Sequence, residues 1–139
     1  PAEVRERYDV RTGARRMTVS VVSFGYKHGI PPEADLVFDA RFLPNPNFVP
    51  RLRRLSGNDA PVVAYLKRQE ETAAFLKRVL ALVRFVLPRH EREGLSYLTV
   101  AMGCTGGRHR SVMLANAVGA WVRKRGYPVR VSHRDLKQG

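Results

Sequence analysis

Residues 97–111, YLTVAMGCTGGRHRS, join an apolar run to a glycine-rich stretch and the start of a helical pattern. Tyr97 to Met102 is apolar and rich in strand-forming residues, which predicts a buried strand. Residues 109–125 carry apolar side chains at helical spacing and predict a helix that ends at Gly126. A glycine-rich turn between a strand and a helix brings several backbone N–H groups to one point, where the helix dipole adds positive charge. The stretch therefore predicts a loop that holds a phosphate-sized anion.

Several side chains of this loop can add to its backbone donors. Arg110 offers a planar fork of N–H groups that can grip a phosphate at two oxygens. Thr105 and Ser111 offer hydroxyl groups, and His109 can donate a hydrogen bond or titrate near neutral pH. Arg108 either joins them or points outward. The predicted phosphate-binding residues are Thr105, Gly106, Gly107, Arg108, His109, Arg110 and Ser111.

The spacing of the loop leaves a catalytic alternative open. It lacks the order of a Walker A loop, but Cys104 to Ser111 fits the C-x-x-G-x-x-R-[ST] pattern of cysteine-dependent phosphatases. In that alternative Cys104 is the nucleophile and Asp39 is the candidate general acid. Gly103 stands where such phosphatases usually have histidine, and Cys104 is also consistent with a small buried residue at a strand end. We favour binding without covalent chemistry and predict no catalytic residue.

Strand and helix patterns alternate along the rest of the chain, which is typical of an α/β domain with a parallel sheet. We predict one compact α/β domain over residues 17–139, with a mainly parallel sheet flanked by helices. Residues 1–16 are a charged lead-in with room for a short edge strand. The predicted strands are 17–24, 34–40, 97–102 and 129–132, and the predicted helices are 61–68, 70–87 and 109–125.

Helical spacing also predicts which side chains face the core. Asp59 is expected to cap the first helix, Pro88 is expected to end the second, and residues 41–47 are expected to form a loop without regular structure. The predicted core positions are Ala74, Phe75, Val79, Leu82, Val83 and Val86 in the second helix and Leu114, Val118, Trp121 and Val122 in the third.

Composition limits the class of protein. Of the 139 residues, 44% are hydrophobic and 27% are charged, which suits a folded domain. No apolar run approaches the ~20 residues needed to cross a bilayer, so we expect no membrane partner. One cysteine excludes an internal disulfide, no cluster of metal ligands is evident, and a cytoplasmic location is the simplest expectation. The net charge of +13 suits a polyanionic partner, although an arginine-rich solvated surface explains the charge equally well.

Two further loops leave strand ends on the edge where ligands of parallel sheets collect. One follows residues 17–24, and the other follows residues 34–40. They combine cations with neutral donors and acceptors, which suits a sugar phosphate better than a bare phosphate. Asn45 and Asn47 could instead serve only the backbone of a proline-rich loop. The predicted sugar-pocket residues are Ser23, Lys27, His28, Arg41, Asn45 and Asn47.

Three motifs in this order resemble one family. They are SFGYKHG at residues 23–29, DARFLPNP at residues 39–46 and GCTGGRHRS at residues 103–111. Together they look like the C-terminal domain of the RapZ/YvcJ family, the RNase adapter or P-loop nucleotide-binding proteins. The resemblance runs from about Val19 to Lys137. It implies a fold similar to a phosphofructokinase subdomain, and this chain lacks the Walker motifs of the family's N-terminal P-loop domain.

The resemblance also implies a function. It implies a regulatory, non-catalytic domain that binds an amino sugar phosphate such as glucosamine-6-phosphate, binds RNA and presents it to an endoribonuclease. A homo-oligomer is expected, and no cofactor is expected beyond a bound phosphate, sulfate or similar anion. In the basic stretch of residues 108–137, the RNA-binding candidates are Arg123, Lys124, Arg125, Arg130, His133, Arg134 and Lys137.

Overall fold

The computed structural model describes residues 8–9 and 14–137, with side chains from Arg16 onward. Residues 1–7 and 10–13 of the predicted lead-in, and the last two residues of the predicted domain, lie outside this description. The strands are β1 (Tyr8–Asp9), β2 (Ala14–Arg15), β3 (Thr18–Gly25), β4 (Leu36–Asp39), β5 (Tyr97–Cys104) and β6 (Val129–His133), and the helices are α1 (Ala60–Lys67), α2 (Glu70–Arg92) and α3 (Arg110–Lys124).

Four strands form one sheet in the order β4-β5-β3-β6, and every neighbouring pair is parallel. Val21 of β3 pairs with Val100 of β5 on one side and with Val131 of β6 on the other. The prediction of an α/β domain with a parallel sheet is confirmed. The short β1 and β2 pair with each other as a separate antiparallel ribbon. Because all four long strands run the same way, their carboxyl ends meet at one edge of the sheet.

The main core lies between the central strands and the helices. Val19 and Val21 of β3 and Val100 of β5 are fully buried there and pack with Leu114 and Val118 of α3. The central strands are buried on both faces, and alternation along β3 places Val19 and Val21 in this layer and Val22 and Phe24 in a second cluster. As a result α3 is held against the sheet, and its first turn lies beside the carboxyl ends of β3 and β5.

Helix α2 differs from the sequence predictions in its end and in its buried face. It does not end at Pro88 but continues to Arg92, because buried Leu87 and an ion pair between Glu91 and Arg16 (3.1 Å) hold the last turn in place. Proline removes one N–H group from a helix, and such local packing can offset that loss. The core face of α2 is also rotated from the predicted one: Ala74 and Leu82 are exposed, whereas Thr72 and Leu87 are buried.

Three local features of the fold differ from the sequence predictions. Trp121 of α3 is only partly buried, although it was expected in the core. A single 3-10 turn, Pro46–Phe48, interrupts the loop expected to be irregular. Asp59 stands at the start of α1, but its carboxylate accepts from the N–H of Ser56 (2.7 Å) instead of capping the helix.

Within the described residues, none of the helices is long and apolar enough to span a bilayer.

Candidate anion-binding site

The anion loop, residues 104–111, leaves the end of β5 and touches the end of β3. Gly25 and Gly107 make this contact through bare backbone: a Cβ on Gly25 would overlap backbone atoms of Gly106 and Gly107. Gly107 also has a φ of 81°, a left-handed conformation that glycine adopts without strain. The glycines therefore let the two strand ends and the loop close together around one point.

Backbone donors of this loop point to an anion. Among the described residues, the N–H groups of residues 106–109 have no hydrogen-bond acceptor. Helix α3 begins directly afterwards at Arg110, so its positive dipole end lies at the same place. Unpaired N–H groups at a helix start are a standard binding site for phosphate-like anions.

Arg110 is the most constrained cation of the site. Its side chain is buried, with 3% of its surface exposed. One terminal nitrogen, Nη1, donates to the backbone carbonyls of Arg41 (2.7 Å) and Leu43 (2.9 Å), and Nη2 lies 3.4 Å from the Thr105 hydroxyl. Its Nε is buried without a partner among the described residues. Burial lowers the pKa of the guanidinium, but Arg110 stays charged at neutral pH. A buried charge without an ionic partner is costly, so an anion bound nearby in the cleft would stabilise Arg110.

A supporting segment, residues 52–57, holds the loop from behind. Arg108 points into this segment: its guanidinium donates to the carbonyls of Leu55 (3.1 Å) and Arg54. In return, the N–H of Gly57 donates to the carbonyl of Arg108 (2.9 Å). A Cβ on Gly57 would overlap the carbonyl oxygen of His109. These contacts give Arg108 a structural anchor, and they were not foreseen because the sequence of 52–57 shows only a turn.

A cleft of about 180 Å³ opens over the loop. Its cations are Lys27, Arg108 and Arg110, and no carboxylate lines it among the described residues. Its positive character fits an anionic ligand. The lining residues are Lys27, Asn45, Asn47, Cys104, Thr105, Gly106, Arg108, His109 and Arg110.

The structure does not bring every predicted pocket residue to this cleft. Ser23 is fully buried, and its hydroxyl lies 2.7 Å from Nδ1 of His133, on the far side of β3, so the expectation that Ser23 lines the pocket is wrong. His28 is exposed on the turn after β3 and is not among the lining residues. Arg41 turns its guanidinium away to Asp39 (2.7 Å) and contributes its backbone carbonyl to Arg110 instead.

Two loop residues lie beneath the cleft. Ser111 is fully buried: its hydroxyl accepts from the thiol of Cys104 (3.1 Å), and its N–H donates to the same sulfur (3.4 Å). Gly107 is buried against Gly25 and is also absent from the lining. Both residues therefore shape the loop from below, while Thr105 and Gly106 face the opening.

The phosphatase alternative lacks an available acid. Asp39 is bound through both carboxylate oxygens by Arg41. Hydrogen bonds from Arg41 are the main cause that lowers the pKa of Asp39, so this carboxylate is ionised at neutral pH and has no proton to give to a leaving group. Asp39 also does not line the cleft. Cys104 does line it, and its hydrogen bond with Ser111 holds the sulfur at the floor.

The sequence analysis did not identify Asp135, which links the segment after β6 to the end of β3 beside the anion loop. Its side chain is 1% exposed, and Oδ2 accepts from the N–H of Gly25 (2.8 Å) and from Arg134 (2.8 Å). Burial pushes its pKa upward, but the hydrogen bonds from Arg134 and Gly25 outweigh burial and lower the pKa. Arg134 also donates to the carbonyl of Gly29 (2.6 Å). The sequence around Asp135 is basic and polar, which is typical of a solvated segment, so it does not predict a buried carboxylate.

The side chains of the predicted RNA-binding residues differ in how firmly other residues hold them. Arg134 is held by Asp135, and His133 is bonded to Ser23 and lies 3.0 Å from the Asn116 carbonyl oxygen. The others are exposed, on the last turn of α3 and its continuation, on β6 and in the tail: Arg123, Lys124, Arg125, Arg130 and Lys137.

We expect the domain to lose stability on mild acidification. Burial lowers the pKa of both His109 and His133, so the folded state holds them neutral. As the pH falls below about 6.5, the unfolded chain takes up protons first, and the free energy of unfolding decreases until the folded pKa values are passed. Urea unfolding between about pH 7.5 and pH 5 measures this slope. His133→Gln should reduce the slope, and a stability that is flat or rises on acidification would contradict the assignment.

Comparison with known proteins agrees with this architecture. A profile of the RapZ C-terminal domain matches residues 17–137. A nucleotide-binding protein of Symbiobacterium thermophilum is 51% identical over 140 residues, which cover 98% of this chain and 46% of the relative. One from Acidobacterium capsulatum is 49% identical over 135 residues, which cover 97% of this chain and 44% of the relative. The chain thus spans about half the length of the curated relatives it matches. It belongs to the RapZ C-terminal domain family.

Proposed function

We propose that this domain is a regulatory sensor whose anion loop binds the phosphate of an amino sugar phosphate, with glucosamine-6-phosphate as the candidate ligand. The observation that carries the proposal is Arg110, a buried guanidinium that lines the cleft and is held in place by two backbone carbonyls. The N–H groups of residues 106–109, which have no acceptor in the described part of the chain, add further donors in the same loop. A doubly charged phosphate group would satisfy both sets of donors at once.

The lining of the cleft supports a ligand with polar groups besides phosphate. Its volume of about 180 Å³ leaves room for more than one small group. Asn45 and Asn47 also line the cleft, and Lys27 joins them beside the anion loop, where its N–H donates to the carbonyl of Thr105 (3.2 Å). The side chain of Asn45 accepts from the N–H of Asn47 (3.0 Å), whereas the side-chain amide of Asn47 makes no hydrogen bond to another described residue and can meet hydroxyl or amino groups. Neutral amides of this kind suit the polar edge of a sugar.

We further propose that the domain binds RNA and acts as an RNase adapter, with an endoribonuclease partner and a homo-oligomeric assembly. The net charge of +13 supports a polyanionic partner, because phosphate contacts release counterions. Membership of the RapZ C-terminal domain family supports the same role. In this proposal the metabolite occupies the anion loop, and RNA contacts the exposed basic side chains elsewhere on the surface.

Thr105→Val is the sharpest test of the metabolite site. Thr105 is exposed at the cleft, its hydroxyl makes only a long contact with Arg110 (3.4 Å), and valine keeps the shape of the side chain, so we expect the fold to survive. Loss of one hydrogen bond to a charged phosphate should weaken glucosamine-6-phosphate binding roughly tenfold or more. Isothermal titration of wild type and variant measures the difference. Thr99→Val is the matched control, because Thr99 lies on β5 outside the cleft lining.

Two more titrations test the sugar and the phosphate group of the ligand separately. Asn47→Ala should weaken glucosamine-6-phosphate binding while leaving inorganic phosphate binding unchanged, because Asn47 lies on the proposed sugar side. Glucosamine without phosphate should not bind measurably. If glucosamine and its phosphate bind equally well, or if Thr105→Val has no effect, the proposed site is wrong.

A further inference from the structure

Two residues just after β6, Arg134 and Asp135, hold both ends of the turn that follows β3, residues 25–29. We call them the clamp pair. The carboxylate of Asp135 accepts from the N–H of Gly25 (2.8 Å), where the turn begins. The guanidinium of Arg134 donates to the carbonyl of Gly29 (2.6 Å), where the turn ends. The clamp pair therefore fixes the path of this turn.

The same turn touches the anion loop. Lys27, in the middle of the turn, lines the cleft, and its N–H donates to the carbonyl of Thr105 (3.2 Å). Asp135 also lies against the loop itself, because a Cβ placed on Gly107 would be 3.0 Å from the Cβ of Asp135. Asp135 is not among the residues that line the cleft, so its effect on a ligand has to pass through the turn and the loop.

The clamp pair places no net charge behind the loop. The side chain of Asp135 is 1% exposed, and Arg134 binds both of its carboxylate oxygens (3.0 and 2.8 Å). Without this partner, the buried carboxylate would be costly and would repel an anion in the neighbouring loop. The side chain of Arg134 is itself 31% exposed, so the pair can be reached from the surface.

We propose that Asp135 and Arg134 are positioning residues for the anion site: bound to the turn, they hold Lys27 and the anion loop in the arrangement that binds a phosphate-bearing ligand. Because such coupling is reciprocal, the bound ligand also holds the clamp pair in place. Whatever withdraws Arg134 from Asp135 then lowers the affinity for the ligand. The inference rests on the proposed function, since it takes the anion loop as the ligand site, and it adds a regulatory contact outside the cleft.

Two carboxylates at opposite ends of β3 allow a matched comparison. Asp135 binds an arginine and the N–H of Gly25 at the end of β3, and Glu91 binds Arg16 (3.1 Å) and the N–H of Met17 (3.2 Å) before its start. Asp135→Asn and Glu91→Gln should both lower the free energy of unfolding, which urea unfolding measures. In isothermal titration, Asp135→Asn should weaken binding of glucosamine-6-phosphate and of inorganic phosphate roughly tenfold. Glu91→Gln should stay within about twofold of wild type.

Two further measurements do not depend on the folding of Asp135→Asn. Arg134→Gln removes the neutralising partner from a partly exposed position, and it should weaken both ligands by a similar factor. In the wild type, saturating glucosamine-6-phosphate should slow hydrogen exchange at the amides of Gly25 and Arg134 roughly tenfold. The amide of Glu93, which bonds to carbonyls of α2, is the control and should be unchanged.

The outcomes separate the coupling from the site itself. If the wild type binds the ligand but Asp135→Asn and Arg134→Gln bind it as tightly as Glu91→Gln, the positioning role is wrong and the anion site stands. Exchange at Gly25 and Arg134 that does not respond to the ligand also overturns the positioning role. If the wild type binds neither glucosamine-6-phosphate nor phosphate, the proposed function fails, and the coupling fails with it.

Discussion

Arg110→Met is expected to lose glucosamine-6-phosphate binding by at least roughly 100-fold and to destabilise the fold by on the order of 3 kcal/mol. Methionine fills a similar space but cannot donate to the buried carbonyls of Arg41 and Leu43, which bind the guanidinium at 2.7 and 2.9 Å. It also removes the buried charge that faces the cleft. Isothermal titration measures the first effect, and urea unfolding measures the second.

Arg110→Lys separates charge from geometry. Lysine keeps the positive charge but has a single nitrogen, which cannot reach both carbonyls and a phosphate with the fork of a guanidinium. We therefore expect binding weaker than wild type and stronger than in Arg110→Met. Wild-type affinity in Arg110→Lys would mean that only the charge of residue 110 matters, and wild-type affinity in Arg110→Met would remove Arg110 from the site.

Gly25→Ala is expected to destabilise the domain by on the order of 3 kcal/mol and to abolish ligand binding. Its Cβ would overlap the backbone of Gly106 and Gly107, so either β3 or the anion loop has to move. The N–H of Gly25 also donates to buried Asp135 (2.8 Å), and a shift of this residue would weaken that bond. Thermal unfolding and titration with glucosamine-6-phosphate measure the two effects.

Gly106→Ala is the control for this prediction. A Cβ on Gly106 meets no atom within 4 Å, and its φ is not positive, so the fold should be nearly unaffected. Any loss of ligand affinity in Gly106→Ala then reports obstruction of the cleft alone. If Gly25→Ala is as stable as Gly106→Ala, the close approach of β3 and the loop is not a constraint on the fold.

The positions of the strands along the chain and of the anion loop follow from local sequence. Runs such as Thr18–Gly25 and Tyr97–Cys104 are apolar and strand-forming, and each leads into glycine-bearing sequence, so period and turn chemistry agree. Parallel strands place those turns at one edge, which predicted that Lys27, Asn45 and Asn47 would meet the anion loop. The structure brings these three residues to the cleft.

The supports of the site depend on contacts between distant residues and leave no pattern in the sequence. Arg108 binds carbonyls of residues 54–55, and Asp135 binds the N–H of Gly25, more than a hundred positions away. Ser23 was misplaced because strand alternation turns its side chain toward His133. Backbone carbonyls and strand faces carry no residue-type signal, so only the fold reveals which partners they meet.

The most direct test of the central claim is a map of amide chemical shifts during titration of the ¹⁵N-labelled domain with glucosamine-6-phosphate. We predict that the largest changes fall on the amides of residues 105–110, because the unpaired N–H groups of residues 106–109 bind the phosphate. Smaller changes should follow at Lys27 and Asn47, which also line the cleft. Saturable changes elsewhere, with residues 105–110 unmoved, would show that the anion loop is not the ligand site.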